Sequence, residues 1–175
     1  MNPTQLSREL RTARTPDLNR RRWIIGLSLL GVALGQIVTL YQTGIIKHLP
    51  DPPVGPFDSD KVDASDYAYK RLDTPDAAGM IITYGLTTAL AAAGGKGRAL
   101  NKPWLPLAMG VKIFSDVLTN MKLAQEEWAE NKALCFYCQL ANAASIASLA
   151  LAVPEAVRAA KNLQKGTGAN SVAQV

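Results

Sequence analysis

The sequence is poor in the residues that build most enzyme sites. Its 175 residues include one His, two Cys, three Phe, three Trp and five Tyr. A structural zinc site needs about four thiolate or imidazole ligands, and two thiols with the lone His48 fall short of that. Haem attachment needs a His directly after a Cys-x-x-Cys pair, and Gln139 stands there instead. The net charge is +5, but the basic residues form no aromatic-interleaved patch of the kind that binds nucleic acid. No nucleic-acid partner is expected.

What the chain has is apolar residues gathered into blocks. Hydrophobic residues make up 48% of it, and the mean hydropathy is near zero, because strongly polar stretches separate the blocks. Trp23 to Ile46 runs 24 residues without a charge, about 36 Å at the rise of an α-helix. That exceeds the ~30 Å hydrocarbon core of a bilayer. The run is too long for a secretory signal peptide, and no small-x-small cleavage site follows it. The Arg20-Arg21-Arg22 triplet also invites a twin-arginine export reading, and the anchor reading outweighs it. Asp76 to Gly94 and Trp104 to Leu123 form a second and a third span. The third holds Lys112 and Asp116, four apart and so able to pair on one helix face. Ala133 to Val153, 21 residues without a charge, forms the fourth and ends at Pro154.

The connecting segments carry the topology. Residues 1–22 form a basic polar tail, and 156–175 a second polar tail. Between the first two spans lies a long loop, Lys47 to Pro75, proline-punctuated from His48 to Pro56. A short surface helix is predicted over Val62–Leu72, with Asp60 or Asp63 as its N-cap. Gln125 to Lys132 is predicted as an acidic loop. With the N-terminus inside, twelve Lys and Arg face the cytoplasm and six face outward, which satisfies the positive-inside rule. Both termini are therefore expected in the cytoplasm. Gln36 is expected to join helices, and Ala141, Ala144, Ser145 and Ser148 to form a packing face.

Both cysteines lie in Leu134-Cys135-Phe136-Tyr137-Cys138-Gln139. With zinc and haem set aside, a redox pair and two inert buried thiols remain. Residues i and i+3 share a helix face, and the topology puts the pair at the outer end of the fourth span, where disulfides persist. Position therefore favours the redox pair.

Two segments resemble the vitamin K epoxide reductase family. Leu134-Cys135-Phe136-Tyr137-Cys138 is similar to the family's Leu-Cys-x-Tyr-Cys opening of the fourth helix. Val62-Asp63-Ala64-Ser65-Asp66-Tyr67-Ala68, followed by Thr74-Pro75-Asp76-Ala77 and Gly79, resembles its Val-x-x-Ser-x-Tyr-Ala and Gly-x-Pro stretches. The likeness covers roughly residues 23–155, taken as the membrane domain. It implies an all-α, integral-membrane four-helix bundle in the inner membrane. It further implies a thiol–disulfide oxidoreductase that couples Cys135 and Cys138 to a ubiquinone-, menaquinone- or plastoquinone-type quinone. Cys138 would face the quinone ring, with Cys135 its redox partner. Ser65 would bond a quinone carbonyl, and Asn142, where some animal members have Tyr, would complete the ring's surroundings. The partners implied are membrane lipid, the quinone and an extracytoplasmic thioredoxin-like protein. The sequence departs from the family in lacking the two relay cysteines of the first outer loop; Ser59 falls at the second relay position, and Asp73 replaces the Gly before x-Pro. A non-catalytic accessory or scaffold subunit that keeps the fold is the alternative.

Overall fold

The structure is a computed structural model that describes residues 2–71 and 73–172, with side chains through Lys165. Among these residues the regular structure is all α. Helix α1 spans Pro3–Thr12 and α2 spans Pro16–Gln42, which Thr15 caps through its side chain on the Leu18 amide. The long loop holds α3 (Ser59–Asp63) and a 3-10 turn over Asp66–Ala68. Then follow α4 (Asp76–Ala92), the single turn α5 (Arg98–Asn101), α6 (Trp104–Asn131) and α7 (Phe136–Val172). The four long helices pack side by side. Helix α2 lies against α4 and α7, and α6 lies against α7 and, less extensively, α4.

Two of the four expected spans, in α2 and in the Phe136–Lys165 part of α7, are long and apolar enough to cross a membrane. Helix α4 has only 17 residues, and α6 carries Lys112, Asp116 and Lys122 along its length.

Close packing of α2 on α4 depends on small residues four apart, Gly31 and Gly35. A Cβ at Gly31 would lie 2.5 Å from Tyr84 Cδ1. The Tyr84 ring has little freedom to retreat, because its hydroxyl donates to Ala141 O at 2.6 Å and lies 2.7 Å from Ser145 Oγ. Gly31→Ala should therefore destabilise the fold by about 1–3 kcal/mol, the usual cost of overpacking. A thermal melt in detergent checks this, with Gly26→Ala as the control, since a Cβ at Gly26 meets nothing within 4 Å.

The helix ends differ from expectation in four places. The predicted helix over 62–72 is replaced by α3 and the 3-10 turn. Asp58 caps α3, its carboxylate accepting from the Lys61 amide, and Ser65 is extended, which breaks the helix. Leu72, its expected last residue, lies outside the described residues. The acidic loop is instead the last two turns of α6, which stops at Lys132 in a left-handed conformation with φ 52°. Helix α7 continues through Pro154. Tertiary bonds hold it beyond the proline: Glu155 to Arg98, Arg158 to Asp17, and the Asn162 amide to Ala99 O. Lastly, Cys135 sits just before the first residue of α7 rather than inside it.

Gln36 is exposed, so it does not join helices. That part falls to Gln42, whose amide nitrogen donates to Asp76 Oδ1 at 2.8 Å and whose carbonyl accepts from the Ala77 amide. Gln42 thereby ties the end of α2 to the start of α4. At the opposite end, Arg21 donates to the carbonyls of Ala91, Ala92, Ala93, Gly94 and Gly95. It satisfies the carbonyls that the end of α4 leaves without intrahelical partners. The predicted packing face is present, with Ala141, Ala144, Ser145 and Ser148 all buried.

Candidate functional site

The entry to α7 is built by the loop that precedes α3. Leu134 N–H donates to Pro56 O and Asp58 N–H to Leu134 O, which makes a two-bond bridge between loop and helix entry. Phe57 and Phe136 pack edge to face at 5.3 Å. Ser59, at the vacant relay position, is drawn into the same junction. Its amide and hydroxyl both donate to the Asp51 carboxylate at 2.6 Å, and its Oγ accepts from the Phe136 amide at 3.0 Å. The loop thus places position 59 against the residue that follows Cys135.

Cys135 acts as the cap of α7. Its carbonyl accepts the Gln139 amide at 3.0 Å. Its sulfur accepts the Cys138 amide at 3.2 Å, much as a serine hydroxyl would. Both cysteines are free thiols. Cys135 is 0% exposed, packed with Leu49, Val62 and Ala133. Cys138 lies one turn further along and borders a cavity of about 420 Å³ lined by α4, α6, α7 and the residues Arg71, Thr74 and Pro75. Asn142, one turn on from Cys138, lines the same cavity.

Ser65 does not reach this cavity; its hydroxyl donates to Val62 O at 2.6 Å within its own turn. The cavity is lined in its place by Thr74, Pro75, Asp76 and Gly79 of the second family-like stretch and by residues that sequence reasoning did not single out, among them Arg71, Tyr84 and Glu127. Two buried polar atoms in it lack a partner, Arg71 Nη1 and Asn142 Oδ1. Asp73, in the place of the family's Gly, has φ 49°. That left-handed backbone explains why glycine suits the position.

Acidic groups crowd the dithiol. Glu127 Oε2 accepts from the Cys135 amide and the Gln139 side chain, both at 3.4 Å. A carboxylate of Asp63 and the two sulfurs lie within 4.8 Å of one another. Two thiols and a carboxylate are one ligand short of a structural zinc site, and the lone His48 is engaged by Asp60. Lys112 and Asp116 pair as expected, at 2.5 Å, with the Thr87 hydroxyl 2.6 Å from the ammonium. Asp116 also borders the cavity.

Burial pushes the Glu127 carboxyl up to about 7, helped by the charge of Asp76 and opposed by its bond from the Cys135 amide. The folded protein therefore binds a proton that the unfolded chain has released. Stability from this group is complete below about pH 4, near the unfolded value, and is lost as pH rises through about 7. Glu127→Gln keeps the shape and should flatten that slope, as read by melting temperature from pH 4.5 to 8.

A cysteine pair thus sits at the start of a long helix, beside a cavity in an all-α fold. A match to the vitamin K epoxide reductase family spans residues 22–153, and the chain belongs to that family. Proteins of this family are membrane-associated oxidoreductases that act with quinones. No curated protein and no solved structure matches the chain.

Proposed function

We propose that this protein is a multi-pass inner-membrane oxidoreductase that passes electrons from a dithiol formed by Cys135 and Cys138 to a quinone. The observation that carries the proposal is that Cys138, and not Cys135, opens onto the 420 Å³ cavity. A quinone supplies the two-electron acceptor. The residues present fit it: a quinone oxygen needs a donor, and Arg71 Nη1 is a buried donor without a partner. Asn142 adds a second polar contact one helical turn from Cys138. Gly79 leaves open space on α4, since a Cβ there would meet no atom within 4 Å. Ser65 acts at a distance, holding the turn that presents Asp63 and Tyr67.

Helices α2, α4, α6 and α7 carry the four spans, and the acidic end of α6 and the last turns of α7 lie outside them. Each carries large apolar side chains turned outward: Leu29 and Leu30, Ile82 and Leu86, Val111 and Phe114, Ile146 and Val153. Outward apolar surface on every long helix suits lipid and not water. Trp23, Trp104 and Trp128 are exposed near the ends of these spans, where aromatic belts sit. The twelve-to-six distribution of Lys and Arg supports cytoplasmic termini and a dithiol on the outer side. A reporter enzyme active only outside the cytoplasm should work when inserted in the 47–75 loop and fail when fused after Lys165. The reverse pattern would overturn the orientation.

An extracytoplasmic thioredoxin-like protein is the electron donor. With no relay cysteine in the loop, it must attack Cys135 itself, which lies beneath Leu49 and Val62. The segment 47–58 therefore lifts during exchange. The missing relay also favours one second reading, a subunit that retains the fold and binds quinone without turnover. Restoring a thiol distinguishes the two. Ser59→Cys puts a cysteine beside Phe136 and should raise turnover with small dithiols if the active pair is functional.

A further inference from the structure

The acids around the dithiol are not equivalent. Asp51 is fully engaged by Ser59, Asp60 by His48 and the Leu49 amide, and Asp76 by Gln42. Glu127 accepts two bonds. Asp63 differs from all of them. It is 2% exposed, and its Oδ2 is buried with no hydrogen-bond partner. The nearest groups it can address are the two sulfurs, within 4.8 Å, and the Cys135 thiol is its hydrogen-bonding neighbour.

A buried carboxylate with only a weak thiol donor and no counter-cation is costly. The surroundings make it more so. Cys135 and Cys138 at the start of α7 lie against Asp63, and the charges of Asp76 from α4, Glu127 from α6 and Asp51 from the loop act on it. Tyr41 of α2 and Tyr69 after the 3-10 turn also feel its charge. None of these is a cation. Such a site stabilises a proton shared between the carboxyl and the thiols.

We propose that Asp63 is the proton acceptor for Cys135, taking the thiol proton as the Cys135–Cys138 disulfide forms. The inference rests on the proposed dithiol–quinone function and assigns a residue to its proton transfer. The balance is simple. The two S–H bonds break and one S–S bond forms, so the dithiol gives up two electrons and two protons. The quinone takes two electrons and two protons. The proton from Cys135 Sγ rests on Asp63 before it is passed on, and the carboxylate is then restored. The Asp63 carboxyl is pushed up to about 7 by burial, against the favourable bond from the Cys135 thiol, with Asp76, Glu127 and Asp51 raising it further. A group that titrates near the working pH can both take and release a proton, as a general base must.

The test uses the full-length protein in detergent. Infrared difference spectra between dithiol and disulfide states, set with dithiothreitol and diamide and no quinone, should contain a shifted carboxylate stretching band, because the Cys135 thiol stops donating to Asp63 when the disulfide forms. The band should vanish in Asp63→Asn and survive in Glu127→Gln. Single-turnover oxidation of the dithiol by a short-chain ubiquinone should gain rate through about pH 7 in the native protein. Asp63→Asn should lose that limb and slow by about 10²–10⁴-fold, the usual contribution of a general base. Asp63→Glu should recover part of the rate. An Asp63→Asn protein that melts normally and keeps the native rate and pH profile would overturn the proposal. So would a difference spectrum in which the band persists without Asp63. If the native dithiol ignores ubiquinone, the quinone function fails, and the diamide spectra alone decide the role of Asp63.

Discussion

Cys138→Ser should bring quinone-coupled turnover to background and leave Cys135 as a lone thiol able to trap its electron donor. Thiol–disulfide exchange passes through a mixed disulfide that a neighbouring thiol resolves. With diamide taking up the two electrons and two protons released when the Cys135 and donor thiols join, and with the donor's second cysteine replaced, no thiol is left to resolve the link, so the complex accumulates and is visible on a non-reducing gel. Cys135→Ser should also lose turnover but trap nothing, because Cys138 faces the cavity and not the loop. The burial of Cys135 adds a kinetic signature. At 0% exposure, it should react slowly with a bulky maleimide in the Cys138→Ser background. Asp51→Ala, which removes the two bonds to Ser59, should free the loop and speed that reaction. Equal behaviour of both single variants, with no donor trapped, would remove the division of labour between the two thiols.

Glu155→Ala should be the most destabilising single change at the opposite end of the bundle. Arg98 and Glu155 form a bidentate pair at 2.9 and 2.8 Å, with side chains 0% and 2% exposed. Removing the carboxylate leaves a guanidinium buried against Met109 with only the Leu90 and Ala93 carbonyls for company. Breaking a buried pair from one side costs about 3–5 kcal/mol. Replacing both partners, as Arg98→Met with Glu155→Leu, should recover most of that, because no uncompensated charge remains. Chemical denaturation of the native protein, the single variant and the double variant measures both differences. A single variant as stable as the double would mean that the Arg98 charge escapes to water.

The long helices were legible in the sequence because apolar runs such as Trp23–Ile46 hold few residues that break a helix. Their ends were less so. Gln125 to Asn131 continues α6 because Gln, Glu and Ala are good helix formers, and acidic composition alone did not separate that from a loop. Pro154 does not end α7, because Arg98, Asp17 and Ala99 hold the turns beyond it. Those contacts are tertiary and leave no local signal. The closeness of the two cysteines was legible from their spacing. Ser65 was not, because a one-residue extended break turns its hydroxyl onto Val62 O. Asp63 was read only as a possible helix cap. An acid inside the Val62–Ala64 stretch was the available signal, but its burial against both sulfurs arises only when α3 docks on the start of α7.

The coupling of the dithiol to a quinone is tested most directly with purified, fully reduced protein and a short-chain ubiquinone, without any other thiol. Thiol content is followed by mass after alkylation, and the quinone by its ultraviolet spectrum. The account predicts that one quinone is reduced for each Cys135–Cys138 pair converted to disulfide, and that Cys138→Ser loses both signals. Two alkylatable thiols and an unchanged quinone spectrum, in protein that remains folded, would contradict it.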